Sequence, residues 1–323
     1  MLAGINQKGV VMSNQENPSA FVFVKRWIAA HPVGAFLLML YPTEWIIFTP
    51  ALLGKSGFGL LSLDIPYQVP LLFIVLVGAI GFVFLVTRIA DGKAGTRALR
   101  RHYYQFRAGP QWYLAAVFGP PLVLFLAGLA THGTSVLGPI AANIAKIPTA
   151  FLLMLVINVV VVGVWEEGMW MAFVTDRLQK RVGPVWASLL VAPCFGFVHF
   201  PLFFIAYGLG PAHLTLSQFP LYAFILLIGF SAQVRVLVTW LYNSTGGSLP
   251  VAALFHQSMD LTASAAVLAA FYPWSDGNLL YIGFAVVAVA LIAATRGQLG
   301  YRAEQTLAPE ASSVPVQKNP VSP

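Results

Sequence analysis

Residues 147–170, IPTAFLLMLVINVVVVGVWEEGMW, form an apolar stretch whose only charged residues are two adjacent glutamates, Glu166 and Glu167. A helix that crosses the hydrocarbon core of a bilayer needs about 20 consecutive, mainly apolar residues. The stretch therefore predicts a transmembrane helix that carries two carboxylates. Carboxylates are costly inside a bilayer and usually functional there, so the same segment predicts both the fold class and a site.

The composition of the whole chain is that of a membrane protein. Of its 323 residues, 58% are hydrophobic and 9% are charged, and the mean hydropathy is +0.78. An ordinary soluble domain carries about 25% charged residues. The composition therefore excludes a soluble enzyme, a disordered chain and a nucleic-acid-binding domain, and no nucleic-acid partner is expected. The single cysteine, Cys194, excludes a disulfide framework and a cysteine-based metal site.

Seven further stretches are comparable in length and apolar character. The eight predicted spans are 33–53, 68–88, 111–131, 147–170, 184–206, 219–242, 249–272 and 277–295. We therefore predict an all-α, polytopic membrane protein of about eight transmembrane helices with an intramembrane polar cavity. The membrane domain is expected at 31–297, between a cytosolic N-terminal tail at 1–30 and a disordered cytosolic C-terminal tail at 298–323.

Lysine and arginine are distributed unequally between the two sides of this arrangement. One side receives two cations, Lys55 and Lys146, and Arg235 falls within a span. The other side receives fifteen: Lys8, Lys25, Arg26, Arg88, Lys93, Arg97, Arg100, Arg101, Arg107, Arg177, Lys180, Arg181, Arg296, Arg302 and Lys318. Cytosolic loops are enriched in Lys and Arg, so this side is predicted to be cytosolic and to hold both termini. The protein is expected to be multi-pass, in the plasma membrane if the source is bacterial.

Seven charged or titratable side chains fall inside the predicted spans, and each is a functional candidate because of its cost in a bilayer. They are Glu44, Glu166, Glu167, His199, Arg235, His256 and Asp260. Six of them lie in spans four to seven. His256 and Asp260 are four residues apart, on one helical face, whereas Glu166 and Glu167 are separated by about 100° around the helix. One glutamate is therefore expected to react and the other to orient a partner.

The remaining titratable residues are weaker candidates for a catalytic role. His199 lies fifteen residues into its predicted span, deeper than the glutamates near the end of theirs. A structural or ion-pairing role is favoured for Glu44. The other histidines, which fall in loops or at the edges of spans, are interpreted as having no role in a site. These are His31, His102, His132 and His213.

Three short segments carry a resemblance to a known family. The segments 166–170 (EEGMW), 195–199 (FGFVH) and 256–260 (HQSMD) resemble, in this order, the EExxxR, FxxxH and HxxxN or HxxxD motifs of the CAAX prenyl protease and bacteriocin-processing family. The stretch 235–250 also resembles the family's approach to its last motif. The resemblance covers about 160–272, which is a protease-like core, and it is closest to type II CAAX prenyl endopeptidases, which are intramembrane glutamic proteases.

The resemblance implies an endopeptidase that hydrolyses a peptide bond in a membrane-associated peptide or protein, including one with a lipidated C-terminus, and that needs no cofactor. By motif position, Glu166 and His199 activate water, Glu167 orients the site, and His256 and Asp260 lie on the oxyanion side. Asp260 is then either protonated or positions His256. The second arrangement is preferred because the two residues share a helical face.

One departure from the family pattern keeps other functions open. The arginine of the first motif falls at Met171, and Arg235 is the nearest residue in the sequence that could replace it as the partner of Glu167. A member without that pair could act as a membrane scaffold or as an immunity protein against bacteriocins. An ion-coupled transporter would also place Glu, His and Asp within spans. Two histidines and up to three carboxylates could bind zinc, which remains the minority alternative to a site without metal.

Overall fold

The computed structural model describes residues 20–206, 217–275 and 277–302 of the chain. Every regular element in these ranges is helical. The helices are α1 (Ala20–Ala30), α2 (Pro32–Leu53), α3 (Gln68–Ala90), α4 (Gly92–Tyr103), α5 (Pro110–His132), α6 (Leu137–Asn143), α7 (147–182), α8 (Pro184–Phe197), α9 (Phe219–Ser244), α10 (Leu249–Thr262), α11 (Ala265–Phe271) and α12 (Asn278–Ala294). Parts of α3, α7 and α9 are wound as π-helix, at Val75–Phe82, Ile147–Leu153, Val159–Gly163, Gly168–Thr175 and Ile225–Phe230.

Five helical segments in the described residues are long and apolar enough to cross a membrane, by length and composition. One of them, Pro110–Val182, contains both α5 and α7 and the segment between them, and α12 is a shorter apolar helix. The predicted class, an all-α polytopic membrane protein, is confirmed. The number of eight spans stays a prediction.

Contacts between segments distant in sequence define two ends of the helix bundle. At one end, Asp91 pairs with Arg177, and the Ser248 hydroxyl donates to the Gln105 carbonyl at 2.6 Å. Because α4, the end of α7 and the start of α10 meet here with most of the cations, we call this the basic end. At the other end, the Asn143 side chain donates to the Ala270 carbonyl at 2.9 Å. Successive long helices therefore run in alternating directions between these ends.

The predicted tails fall largely outside the described residues. The part of the N-terminal segment that is described, Ala20–Ala30, forms α1, which ends just before Pro32 at the start of α2. The chain is described as far as Arg302, so the first five residues of the predicted C-terminal tail are described.

The fourth predicted span differs from the observed helix in one respect that matters for the site. The helix α7 continues from residue 170 to Val182 and ends at Gly183, whose φ of +79° favours glycine. Glu166 is therefore sixteen residues from the end of α7, or about 24 Å at 1.5 Å per residue. His199 is fifteen residues from the start of α8, or about 22 Å. The two residues thus lie at one depth, and the expectation that His199 is deeper was wrong.

Candidate active site

Three segments of the bundle bring the predicted site residues together. Glu166 and Glu167 lie on α7, His199 lies in the turn after α8, and His256 and Asp260 lie on α10. Contacts within 4 Å join these five residues into two neighbouring groups, one around each glutamate. The three sequence motifs therefore meet in space.

The first group pairs Glu166 with His199. Since α8 ends at Phe197, His199 occupies a non-helical turn, and Pro201 prevents the α-helix from continuing. The Nδ1–H of His199 donates to the Phe195 carbonyl at 2.9 Å, and because a carbonyl only accepts, this contact places the proton on Nδ1. The other ring nitrogen, Nε2, lies 3.8 Å from Oε1 of Glu166. In a neutral ring Nε2 therefore presents its lone pair towards the carboxylate.

The second group is a buried network centred on Glu167. Its two carboxylate oxygens accept from both terminal nitrogens of Arg235, at 2.8 and 3.0 Å, in a bidentate pair. Nδ1 of His256 donates to Oε1 of the same carboxylate at 2.6 Å. The side chains of Glu167 and Arg235 are completely buried. A charge is retained at such a position only when it is paired and hydrogen-bonded, and Glu167 has both kinds of partner.

Arg235 thus makes the contact that the family pattern assigns to residue 171. Met171 is fully buried and carries no charge, while Arg235 reaches the same carboxylate from α9. The hypothesis drawn from the sequence, that Arg235 replaces the missing motif arginine as the partner of Glu167, is confirmed as a contact. The departure at Met171 therefore leaves Glu167 paired.

The ring of Phe195 packs between the two groups, and its contacts with them could not be predicted from the sequence. The Arg235 guanidinium lies 4.2 Å from the ring centroid, in a cation–π contact. The rings of His199 and His256 lie edge-on at 4.8 and 5.5 Å between centroids. Phe195 therefore separates the Glu166 pair from the Glu167 network and fixes the spacing between them.

Asp260 does not hold His256 as we expected from their shared helical face. The closest approach, from His256 Nε2 to Asp260 Oδ2, is 3.6 Å, which is too long for a hydrogen bond. Glu167 makes the short contact with His256 instead, through Nδ1. Asp260 accepts from the Gln257 side chain at 3.3 Å. The helical spacing placed the two residues on one face but did not determine which carboxylate binds the imidazole.

Exposure divides the site into an open part and a sealed part. The side chains of Glu166, His199 and Asp260 are 11%, 18% and 46% exposed. Those of Glu167 and Arg235 are 0% exposed, and that of His256 is 3% exposed. A substrate or a water molecule can therefore reach the Glu166–His199 pair, whereas Glu167 and Arg235 can act only by holding His256 in place.

Two further predictions about single residues have different outcomes. Glu44 is fully buried on α2, and neither of its carboxylate oxygens has a hydrogen-bond partner among the described residues, so no ion pair is found there and the structural alternative stays a prediction. His102, which we interpreted as having no role, contacts the segment before α10. Its Nδ1–H donates to the Gly247 carbonyl at 2.9 Å, and the Tyr242 hydroxyl lies 3.0 Å from the same nitrogen. His213 lies outside the described residues.

The arrangement of the histidines and carboxylates bears on the zinc alternative. In the part of the chain that the structure describes, no group of three or more His, Cys, Asp and Glu side chains is placed to hold a metal ion. Nδ1 of His256 and both oxygens of Glu167 are engaged with each other and with Arg235. Metal dependence is addressed by the chelation experiment below.

Comparison with known proteins gives a family match for the segment that contains the candidate site. Residues 148–262 match the family model described as Type II CAAX prenyl endopeptidase Rce1-like. The match includes all five predicted site residues and Arg235, and it confirms the resemblance seen in the three motifs. The chain is therefore an integral membrane protein whose residues 148–262 are similar to a family of membrane proteases. No curated protein matches the chain.

Proposed function

We propose that this protein is an intramembrane endopeptidase that uses Glu166 and His199 to activate water against a peptide bond. The observation that carries the proposal is the open Glu166–His199 pair beside a sealed Glu167–Arg235–His256 network. The match to a protease family over the same residues supports it.

The geometry of the pair suits water activation. At 3.8 Å, Oε1 of Glu166 and Nε2 of His199 are too far apart to bond directly. A water molecule between them could donate one hydrogen to each, since both are acceptors when the ring is neutral. Attack by that water places its oxygen on the amide carbon and leaves one proton on the pair. The proton then passes to the amine nitrogen as the carbon–nitrogen bond breaks.

The second histidine is placed to stabilise the negative charge that develops on the amide oxygen. His256 is held through Nδ1 by Glu167, so its Nε2 faces away from that carboxylate. We propose that Nε2 carries a proton and donates a hydrogen bond to the oxyanion. Asp260, at 3.6 Å from Nε2, stabilises the charged imidazole without fixing its orientation. Glu167 and Arg235 act as positioning residues for His256.

The environment of the site defines the substrate class. The catalytic pair lies about 22–24 Å along α7 and α8 from the adjoining ends of these two helices, inside the helix bundle. We propose that the substrate is a membrane-associated peptide or protein, including one with a lipidated C-terminus, that enters among the helices. The basic end faces the cytosol in this proposal, both termini are cytosolic, and a bacterial source implies the plasma membrane.

The proposal is tested with the full chain reconstituted in liposomes and a library of membrane-associated peptides, with products read by mass spectrometry. The wild type should release products, and Glu166→Gln should release none because the amide cannot accept the proton. Glu44→Gln is the matched control, since Glu44 is also a buried intramembrane glutamate but lies outside both groups. It should cleave like the wild type. Peptide binding without products would favour a scaffold or immunity protein, and substrate uptake without cleavage would favour a transporter.

A further inference from the structure

The helix α4 carries an exposed face of cations that have no ionic partner among the residues the structure describes. Lys93, Arg97, Arg100 and Arg101 are all exposed, and none of them forms an ion pair with a described residue. The sequence of α4, GKAGTRALRRHY, contains no acidic residue. Four cations on one short helix repel each other, and an anionic surface against them would offset this repulsion.

The neighbours of α4 place this face at the boundary of the membrane. The apolar helix α3 ends at Ala90, and Asp91 alone separates it from α4. The residues that follow α4 include Tyr104 and Phe106, which are 76% and 59% exposed. Exposed aromatic side chains beside a transmembrane bundle are typical of the level of the lipid headgroups. The cationic face therefore lies where phospholipid headgroups are.

The opposite face of α4 contacts the helices that carry the candidate active site. The hydroxyl of Tyr103 lies so close to Gly168, directly after Glu167, that a side chain at 168 would clash with it. His102 donates to the Gly247 carbonyl at 2.9 Å. Gln105 accepts from Ser248, the N-cap residue of α10. One short segment thus contacts both α7 next to Glu167 and the start of the helix that carries His256.

We propose that α4 binds the anionic headgroups of phospholipids and thereby holds α7 and α10 in register at the active site. The proposal that α4 binds lipid is independent of any enzymatic activity. The expectation that this binding affects cleavage rests on the proposed function. Basic clusters next to transmembrane helices bind anionic lipids with about 1 kcal/mol per cation. Removing three cations therefore corresponds to a loss of up to about 100-fold in selectivity for anionic lipid.

The first experiment measures lipid selectivity without reference to cleavage. The full chain in neutral detergent is titrated with phosphatidylglycerol, phosphatidylcholine or inorganic phosphate, and bound molecules are counted by native mass spectrometry. The test variant is R97Q/R100Q/R101Q. The control, R181Q/R296Q/R302Q, removes three exposed cations without ionic partners at the same end of the bundle. The wild type and the control should prefer phosphatidylglycerol, and the test variant should lose most of that preference.

Two results would overturn the lipid-binding proposal. One is equal loss of selectivity in the two triple variants, which would indicate a general attraction by net charge. The other is retention of selectivity in the test variant. Inorganic phosphate that binds as well as phosphatidylglycerol would show that the face takes phosphate rather than a lipid surface, and this would also overturn it.

The second experiment measures the coupling to the site. Hydrogen–deuterium exchange is followed in 92–105 and 244–256, in liposomes of phosphatidylcholine with and without phosphatidylglycerol. Anionic lipid should slow exchange in both segments of the wild type and the control, and in neither segment of R97Q/R100Q/R101Q. Slower exchange in 92–105 alone would refute the coupling. Exchange and binding require no turnover, so a protein that binds phosphatidylglycerol but cleaves no peptide would refute the proposed function and leave this proposal intact.

Discussion

The pair formed by Glu167 and Arg235 gives the sharpest prediction about the site. In Arg235→Met the Glu167 carboxylate loses both of its bonds from the guanidinium, at 2.8 and 3.0 Å, in a place with no access to solvent. Breaking a buried ion pair by removing one partner costs about 3–5 kcal/mol. We expect the variant to lose that much stability and, because Glu167, the partner of His256, is no longer held in place by the guanidinium, to lose nearly all cleavage.

Two double variants separate the effect of Arg235 on stability from its effect on the positioning of the site. Residue 171 is four positions after Glu167 on the same helix, where i,i+4 side chains meet. Met171→Arg combined with Arg235→Met returns a cation to the position that the family motif gives it, and it should recover a substantial part of both stability and cleavage. Glu167→Gln combined with Arg235→Met removes both charges. It should recover stability, since no charge is left unpaired, but not cleavage, since the carboxylate that orients His256 is gone.

The measurements are thermal unfolding of the purified variants in detergent and the initial rate of peptide cleavage in liposomes. Arg235→Lys is the conservative control, because it keeps the charge but not the bidentate geometry of the guanidinium. Its stability and its cleavage rate should fall between those of the wild type and Arg235→Met. Wild-type stability and cleavage in Arg235→Met would refute the reasoning. Failure of Met171→Arg to improve either quantity would show that the two positions are not equivalent.

Four further predictions concern the neighbouring residues and the metal question. Asp260→Asn should keep measurable cleavage while His256→Ala loses nearly all of it, as read from initial rates, and equal loss in both would contradict the division of roles. Gly163→Ala places a methyl group 2.7 Å from the Gln257 side chain, so it should lower cleavage through Asp260 and have no further effect in an Asp260→Ala background. Burial lowers the pKa of His102 below its ordinary value of about 6.5. Because folding favours the neutral ring, stability from this residue should be present above pH ~6.5 and fall as the pH drops below it, whereas a His102→Gln variant should show a flatter pH profile of the unfolding temperature. Tight chelators should leave cleavage unchanged, and loss of cleavage that zinc restores would contradict the proposed mechanism.

Much of the fold could be predicted because a bilayer restricts sequence more strongly than water does. Apolar stretches of about 20 residues are needed wherever the chain crosses, so segments such as 147–170 were recognisable without a structure. The end of that helix was misplaced at residue 170, although Gly183 and Pro184 marked the true end in the sequence. The charged segment before Gly183 suggested a loop, and it is instead the last part of α7.

The site was predictable as a set of residues but not as a network. The cost of burying Glu, His and Asp in a membrane selected the candidates. Helical spacing then placed His256 and Asp260 on one face, but it could not show that Glu167, on another helix, makes the shorter contact at 2.6 Å. Such contacts depend on how helices pack against each other. The same is true of His102, whose partner, Gly247, is 145 residues away in sequence.

The central claim is that water held by Glu166 and His199 attacks the peptide bond directly. A single turnover in oxygen-18 water, with enzyme in excess over peptide, tests it through the mass of the new C-terminal carboxyl group. The wild type and Glu44→Gln should give product with one oxygen-18 atom in that group, and Glu166→Gln should give no product. Unlabelled product from the wild type, or labelled product from Glu166→Gln at the wild-type rate, would contradict the claim.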